Sequence, residues 1–312
     1  MKIKLFLVCL INLILMSCNT YKTFYKKTAT VNNISNYNQQ RLDFSEVSND
    51  SIYKQLPLFS NLYSLNLSNN PTLNIDKALS LIQSPLKLKV LVLNNNELSE
   101  VPKLISNFEN LKQLSLNQNP ELNLKNTFEN IQKLSIEFLS LQQNKLTDLP
   151  LNTYKLDSLK DLNLSDNNFF KDAAFEKIKQ LPSLQSLWLT NNKLEVFPKG
   201  LCSLDQLKNL YIEHNSLKSI PAEINLMKKV WTIHAGYNLF NDLPVAFAEI
   251  PKLLLLHINN CNIKSIPRIY ETKKSNVKGI ILDANRLSEA TIAFWKKKSS
   301  RFFLLSMEHQ KI

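Results

Sequence analysis

The chain has 312 residues, a formal net charge of +12 and 44% hydrophobic residues, an ordinary content for a buried core. Its three glycines, Gly200, Gly236 and Gly279, exclude a Gly-rich phosphate loop and a G-x-S-x-G nucleophile elbow. Length alone suggests about two globular domains, and the basic balance raises nucleic acid as a partner until the lysines are located.

Residues 1–17 differ from everything that follows. Lys2 and Lys4 precede an apolar run from Leu5 to Met16, broken by Asn12 and ended by Ser17-Cys18. That is the pattern of a secretory signal, too short for an ordinary membrane span. Leu15-Met16-Ser17-Cys18 resembles the bacterial lipoprotein box, which implies cleavage before Cys18, lipidation of Cys18 and a membrane hold by acyl burial. A plain signal peptide or an uncleaved anchor is the alternative. Asn19 to Thr23 contains no acidic residue. By the sorting practice of one bacterial phylum, that implies an envelope lipoprotein on the outer membrane, facing the periplasm. Residues 18–40, rich in Asn, Thr, Tyr and Lys, show neither helical nor strand period and are expected to be a flexible tether.

From Leu62 onward one frame recurs every 23 to 26 residues, clearest in Leu88 to Phe108: L-x-x-L-x-L-x-x-N-x-L-x-x-(L/V)-P-x-x-I-x-x-F. It opens at Leu62, Leu88, Leu111, Ile136, Leu159, Leu184, Leu207, Val230, Leu253 and Val277. The L-x-L core alternates as a short strand does, leucines inward, and successive strands are expected parallel at about 4.8 Å. The ninth position holds Asn70, Asn96, Asn119, Asn144, Asn167, Asn192, Asn215, Asn238, Cys261 and Asn285. A buried Asn amide can satisfy the backbone groups stranded at each turn, so a stacked Asn ladder is predicted. Pro102, Pro150, Pro198, Pro221, Pro244 and Pro267 at the fifteenth position fix φ on the returning side and discourage a second strand. The pattern resembles the leucine-rich repeat family, and its LPxxIxxL returning segment is similar to that of Ras-associated intracellular proteins and many bacterial proteins. The resemblance implies an α/β solenoid, curved and right-handed, of about 10 to 12 coils. Its parallel sheet would line the concave face and short helical or irregular segments the convex one. The unbroken period argues for one elongated domain. Residues 62–287 form the repeats, residues 41–61 a degenerate amino-terminal cap around Leu42-Asp43-Phe44, and residues 288–312 a carboxyl-terminal cap. In the latter, Ser288 should cap a short helix reaching about Lys297, with Phe303-Leu304-Leu305 close to one period beyond Ile280 and Leu282.

Cys202 and Cys261 lie about three coils apart, on the order of 14 Å at strand spacing and beyond the roughly 7 Å Cα limit for a disulfide. Two unpaired thiols are expected. The third, fifth, seventh and eighth positions should face outward on the concave sheet, and none of the forty residues there is Lys or Arg. Lysines such as Lys112, Lys160 and Lys208 fall on the rims, which argues against nucleic acid. Four neighbouring fifth positions carry Trp188, Tyr211, His234 and His257, with Glu213, His214, Tyr237, Leu255 and Asn260 beside them. Aromatic side chains of this kind anchor interfaces, so these nine residues are the candidate binding patch for a protein or peptide, with a glycan as a further option. The alternative is simple cross-strand stacking along the sheet. His234 and His257 with Glu213 across a diagonal could suggest a metal. Zinc sites need three or four well-placed ligands, and no Cys pair or H-E-x-x-H motif is present. Neither metal, cofactor nor catalytic group is expected. The reading is a non-enzymatic, membrane-tethered recognition module, against an intracellular adaptor or a passive envelope spacer.

Overall fold

The computed structural model describes residues 29–30, 37–272 and 274–311. Residues 1–17, the acylation candidate Cys18 and most of the segment 18–40 lie outside them. The described residues form two compact units, one ending at Ser140 and the other beginning at Leu141.

The first unit carries strands β1 (Ala29–Thr30), β2 (Arg41–Asp43), β3 (Ser64–Asn66), β4 (Val90–Val92), β5 (Gln113–Ser115) and β6 (Phe138–Ser140). They pair in parallel and in chain order. The second carries β7 (Asp161–Asn163), β8 (Ser186–Trp188), β9 (Asn209–Tyr211), β10 (Thr232–His234), β11 (Leu255–His257), β12 (Gly279–Ile281) and β13 (Leu304–Ser306), again parallel and in order. From β2 to β12 the middle residue of each strand points into the core: Leu65, Leu91 and Leu114 in the first unit, Leu187, Leu210, Ile233 and Leu256 in the second, all fully buried. Each unit is therefore the α/β solenoid that the repeat frame predicts.

Strand β1 corrects the reading of 18–40 as a tether throughout. Ala29 and Thr30 pair with Leu42 and Asp43. The period search misses this strand because a parallel edge supplies backbone hydrogen bonds to any extended segment, with no apolar alternation required.

The returning side depends on coil length. The coils opening at Leu62, Leu111 and Leu159 have two or three extra residues and carry α-helices at Ile75–Ser80, Leu124–Ile131 and Asp172–Ile178. Most 23-residue coils instead carry five-residue 3-10 turns, at Lys103–Asn107, Leu151–Lys155, Lys199–Ser203 and Ala222–Leu226. Seven residues at 1.5 Å rise and five at 2.0 Å both span about 10 Å, so the α form absorbs the insertion without changing the length to be crossed. Proline opens the short version: Pro102, Pro150, Pro198 and Pro221 sit just before these turns with φ between −59° and −72°. Asparagine opens two of the helices, Asn74 Oδ1 accepting from the Lys77 amide at 2.9 Å and Asn123 Oδ1 from the Asn126 amide at 3.1 Å.

The ninth-position asparagines bond from coil to coil. In the first unit the Asn119 Oδ1 accepts from the Asn96 and Leu98 amides, both at 3.0 Å, while its Nδ2 donates to the Leu93, Leu116 and Asn117 carbonyls. In the second, Asn215 does the same for Asn192, Leu194, Leu189, Ile212 and Glu213. At the amino end the ladder reaches back to the cap, where the Val47 amide donates to Asn70 Oδ1 at 3.0 Å. Cys261 keeps the place with sulfur: its Sγ accepts from the Asn238 amide at 3.4 Å and faces the Asn259 and Ala235 carbonyls at 3.5 and 3.7 Å. Cys202 and Cys261 are both unpaired and buried. Burial pushes each thiol up to about 11, so neither is a ready nucleophile at neutral pH.

The residue before each ladder position adopts a left-handed backbone, from Asn69 (φ 60°) and Asn95 (51°) in the first unit to His214 (52°), Tyr237 (56°) and Asn260 (51°) in the second. Asn tolerates this conformation best among non-glycine residues. His and Tyr there are held by the coil rather than by their own preference.

Candidate functional site

Four strands of the second unit build the site. Register places Trp188 beside Tyr211, Tyr211 beside His234, and His234 beside His257. Because the residues on either side of each point into the core, these four share the open face of the sheet, and all are half-buried. Their rings touch in sequence. Trp188 and Tyr211 stack at 4.9 Å with 5° between planes, and Tyr211 and His234 at 4.7 Å with 20°. His257 then turns edge-on to His234, at 5.3 Å and 74°.

The other predicted residues form the border of this ridge. His214 and Tyr237, on adjacent left-handed positions, stack at 4.0 Å and are both exposed, Tyr237 at 45%. Glu213 lies inward of them, its Oε1 3.4 Å from His234 Nδ1 and its Oε2 accepting from Thr190 Oγ1 at 3.2 Å. Leu255 leans over Gly279, where a Cβ would come within 2.8 Å of its Cδ1; glycine makes that approach possible. Gly236 is similarly required, since a Cβ there would stand 2.2 Å from Asn259 Oδ1. Asn260 bonds through its backbone amide to the Asp283 carbonyl at 2.9 Å. All nine predicted residues thus lie in one unit, seven of them in two columns, with Glu213 between the columns and Leu255 at the flank.

Burial works against ionisation of Glu213, but His234 and the Thr190 hydroxyl outweigh it and hold the carboxyl below the usual range. His257 is held below the ordinary imidazole value by burial and by the neighbouring His234, against the pull of Glu213 and Asp283. Around neutral pH the site therefore presents one carboxylate and a neutral His257. The lysines keep to the edges. Lys208 Nζ donates to Gln185 at 2.9 Å and Lys193 Nζ to Asn168 at 2.6 Å.

Two contributors were not singled out from the sequence. Thr190 shares the seventh column with Glu213 one coil earlier, and that adjacency is the signal that could have found it. Trp231, at a second position, is 42% exposed at the rim; its hydrophobicity at a position otherwise rich in lysine was the available clue.

Comparison with known proteins agrees with this architecture. The family model described as Leucine Rich Repeat matches residues 183–204. No curated protein matches the chain by sequence. Among solved structures, an internalin from Listeria monocytogenes is similar at 19% identity and TM-score 0.59, covering 85% of each chain. Toll from Drosophila, in its complex with Spatzle, is similar at 18% identity and TM-score 0.52, covering 88% of this chain. TLR13, in its complex with ssRNA13, is similar at 17% identity and TM-score 0.59, covering 81%. The chain spans 44% of the length of each of the last two. At these identities the likeness is one of fold.

Proposed function

We propose, from the premise that this chain folds as a leucine-rich repeat solenoid, that it is a non-enzymatic recognition module binding a protein or peptide through the open face of β8–β11. The observation that carries the reading is the half-buried ridge Trp188, Tyr211, His234 and His257, bordered by exposed Tyr237 and His214. Aromatic surface of this kind gives large contact area for little rotamer entropy, and such residues dominate interface energetics. The third, fifth, seventh and eighth columns of the second unit hold no Lys or Arg, so a polyanion would find no phosphate-neutralising cations there. That favours a protein over nucleic acid, the choice that separates Toll with Spatzle from TLR13 with ssRNA13. The fitting experiment is affinity capture from cell-envelope extracts, comparing the intact chain with a Trp188→Ala, Tyr211→Ala variant. Partners retained only by the intact chain support the reading. Identical retention by both, or no partner at all, leaves a passive spacer.

We further propose that the module is held at the membrane by lipid on Cys18, in the bacterial envelope, on the outer membrane and facing the periplasm. The support is the Leu15–Cys18 motif behind its basic, apolar leader. Among the described residues no helix is long and apolar enough to cross a membrane. Labelled-fatty-acid incorporation with fractionation tests the anchor: label lost in Cys18→Ala supports it, whereas soluble, unlabelled wild-type protein would point to an intracellular adaptor.

A further inference from the structure

We propose that Glu213, His234 and His257 form a binding site for a single divalent transition-metal ion of the Zn2+ class. Spacing in the sequence gives only a pair of histidines with a carboxylate across a diagonal, too little to expect a metal. The strand register brings the three together, with one ligand atom from each lying within 4.8 Å of the others.

Two of the donor separations suit a ligand set. His257 Nδ1 and His234 Nδ1 are 3.3 Å apart, and His234 Nδ1 is 3.4 Å from Glu213 Oε1. A tetrahedral ion with bonds of about 2.0–2.1 Å has ligand-to-ligand edges of about 3.3–3.4 Å. A charge-assisted N–H···O bond would instead close to about 2.7–2.9 Å. An imidazole nitrogen carries one proton at most, so His234 Nδ1 cannot donate to both neighbours in full. An ion sits in the plane of each imidazole that binds it, along the nitrogen lone pair. With 74° between them, the two ring planes intersect along a line, where an ion can lie in both planes.

The surroundings hold the donors in place. Tyr211 stacks on His234 and fixes its ring. The Thr190 hydroxyl occupies Glu213 Oε2, orienting the carboxylate and leaving Oε1 for the ion. Asp283 adds outer negative charge near His257, with its own Oδ1 engaged by the Ser306 hydroxyl at 2.6 Å and the Glu308 amide at 2.8 Å. Two imidazoles and one carboxylate suit Zn2+, Co2+, Ni2+ or Cu2+ better than the oxygen-seeking Mg2+ or Ca2+. Three protein donors leave a fourth position open. The site stands on its own geometry and does not depend on the protein-binding reading.

The test is titration of the full chain with Co2+, read by visible absorption, followed by Zn2+ competition. A saturable one-to-one Co2+ spectrum of tetrahedral intensity, displaced by Zn2+, is the expected result. His234→Ala, His257→Ala and Glu213→Gln should each weaken Zn2+ by roughly 100-fold, the upper end of what loss of an outer-shell partner alone costs. His309→Ala, at an exposed histidine outside the cluster and the binding patch, should leave Zn2+ binding unchanged. Far-ultraviolet circular dichroism checks each variant, and the isosteric Glu213→Gln preserves the test if a histidine variant fails to fold. No saturable Co2+ signal in the wild type, or Zn2+ binding unchanged in the folded Glu213→Gln and His257→Ala variants, would overturn the site.

Discussion

The sheet faces of the two units are built on the same coil and differ in what they present. On β2–β6 the outward polar groups satisfy one another. Asp43 accepts from the Ser45 hydroxyl at 2.6 Å and the Asn66 amide at 2.9 Å, Asn66 from the Ser68 hydroxyl at 2.6 Å, Asn94 from Ser115 and Asn117 from Ser140, both at 2.7 Å. A partner docking there would have to break bonds already made, and the net return on exchanging one hydrogen bond for another is small. On β8–β11 the corresponding fifth positions hold a row of stacked rings instead, Trp188 on Tyr211 and Tyr211 on His234. The scaffold is common to both units; the outward columns carry the difference on which the proposed binding face rests.

The largest effect should come from what the two units share. Asn119→Ala in the first and Asn215→Ala in the second each strip buried amides and carbonyls of their partners, and each should cost at least about 3 kcal/mol in chemical denaturation, since an unsatisfied buried polar group costs about 1–3 kcal/mol. A much smaller loss in one unit would break the equivalence of the scaffolds. Next comes the difference between the faces. Trp188→Ala or Tyr211→Ala should weaken the captured partner by about 2 kcal/mol, roughly 30-fold, whereas Asn94→Ala should leave that affinity within about 0.5 kcal/mol of wild type. Calorimetry on the isolated pair measures both.

Smaller again is Cys261→Asn, which restores an amide where sulfur now reaches its partners at 3.4–3.7 Å. It should stabilise the protein by about 1 kcal/mol, seen as a raised denaturation midpoint. The pH response follows the same division. Glu213 has a folded value below its unfolded one, so its contribution is present above the unfolded value and lost as pH falls through the folded one. His257, also depressed, binds its proton more readily when unfolded, so stability falls as pH drops below the ordinary imidazole range toward its folded value. Both act in one direction. His257→Gln should remove the higher-pH part of this acid sensitivity and Glu213→Gln the lower, as read from midpoints across an acid series.

Most of the scaffold was legible in the sequence because it repeats. The inward leucines, the ninth-position amides, the turn-opening prolines and the Ser288 cap, whose Oγ accepts from the Thr291 amide at 3.2 Å, each follow from a local rule applied in register. The grouping of Trp188, Tyr211, His234 and His257 was legible for the same reason, since strands one coil apart bring equal positions together. What escaped depends on lengths and torsions that column counting does not contain. Coil length selects α or 3-10 on the return, as Ile75–Ser80 against Lys103–Asn107 shows. The left-handed backbone at His214 and Tyr237 sets their 4.0 Å stack. The edge-on turn of His257 leaves one donor atom each from Glu213, His234 and His257 within 4.8 Å of one another, and β1 needed only an unfilled edge.

The most direct measurement is amide hydrogen exchange of the full chain with and without the partner recovered by capture. Protection confined to residues 186–260, densest around Trp188, Tyr211, His234 and His257 with β2–β6 unchanged, is the predicted result. Protection centred on β2–β6, or along the lysine-bearing rims with β8–β11 unaltered, would contradict the account.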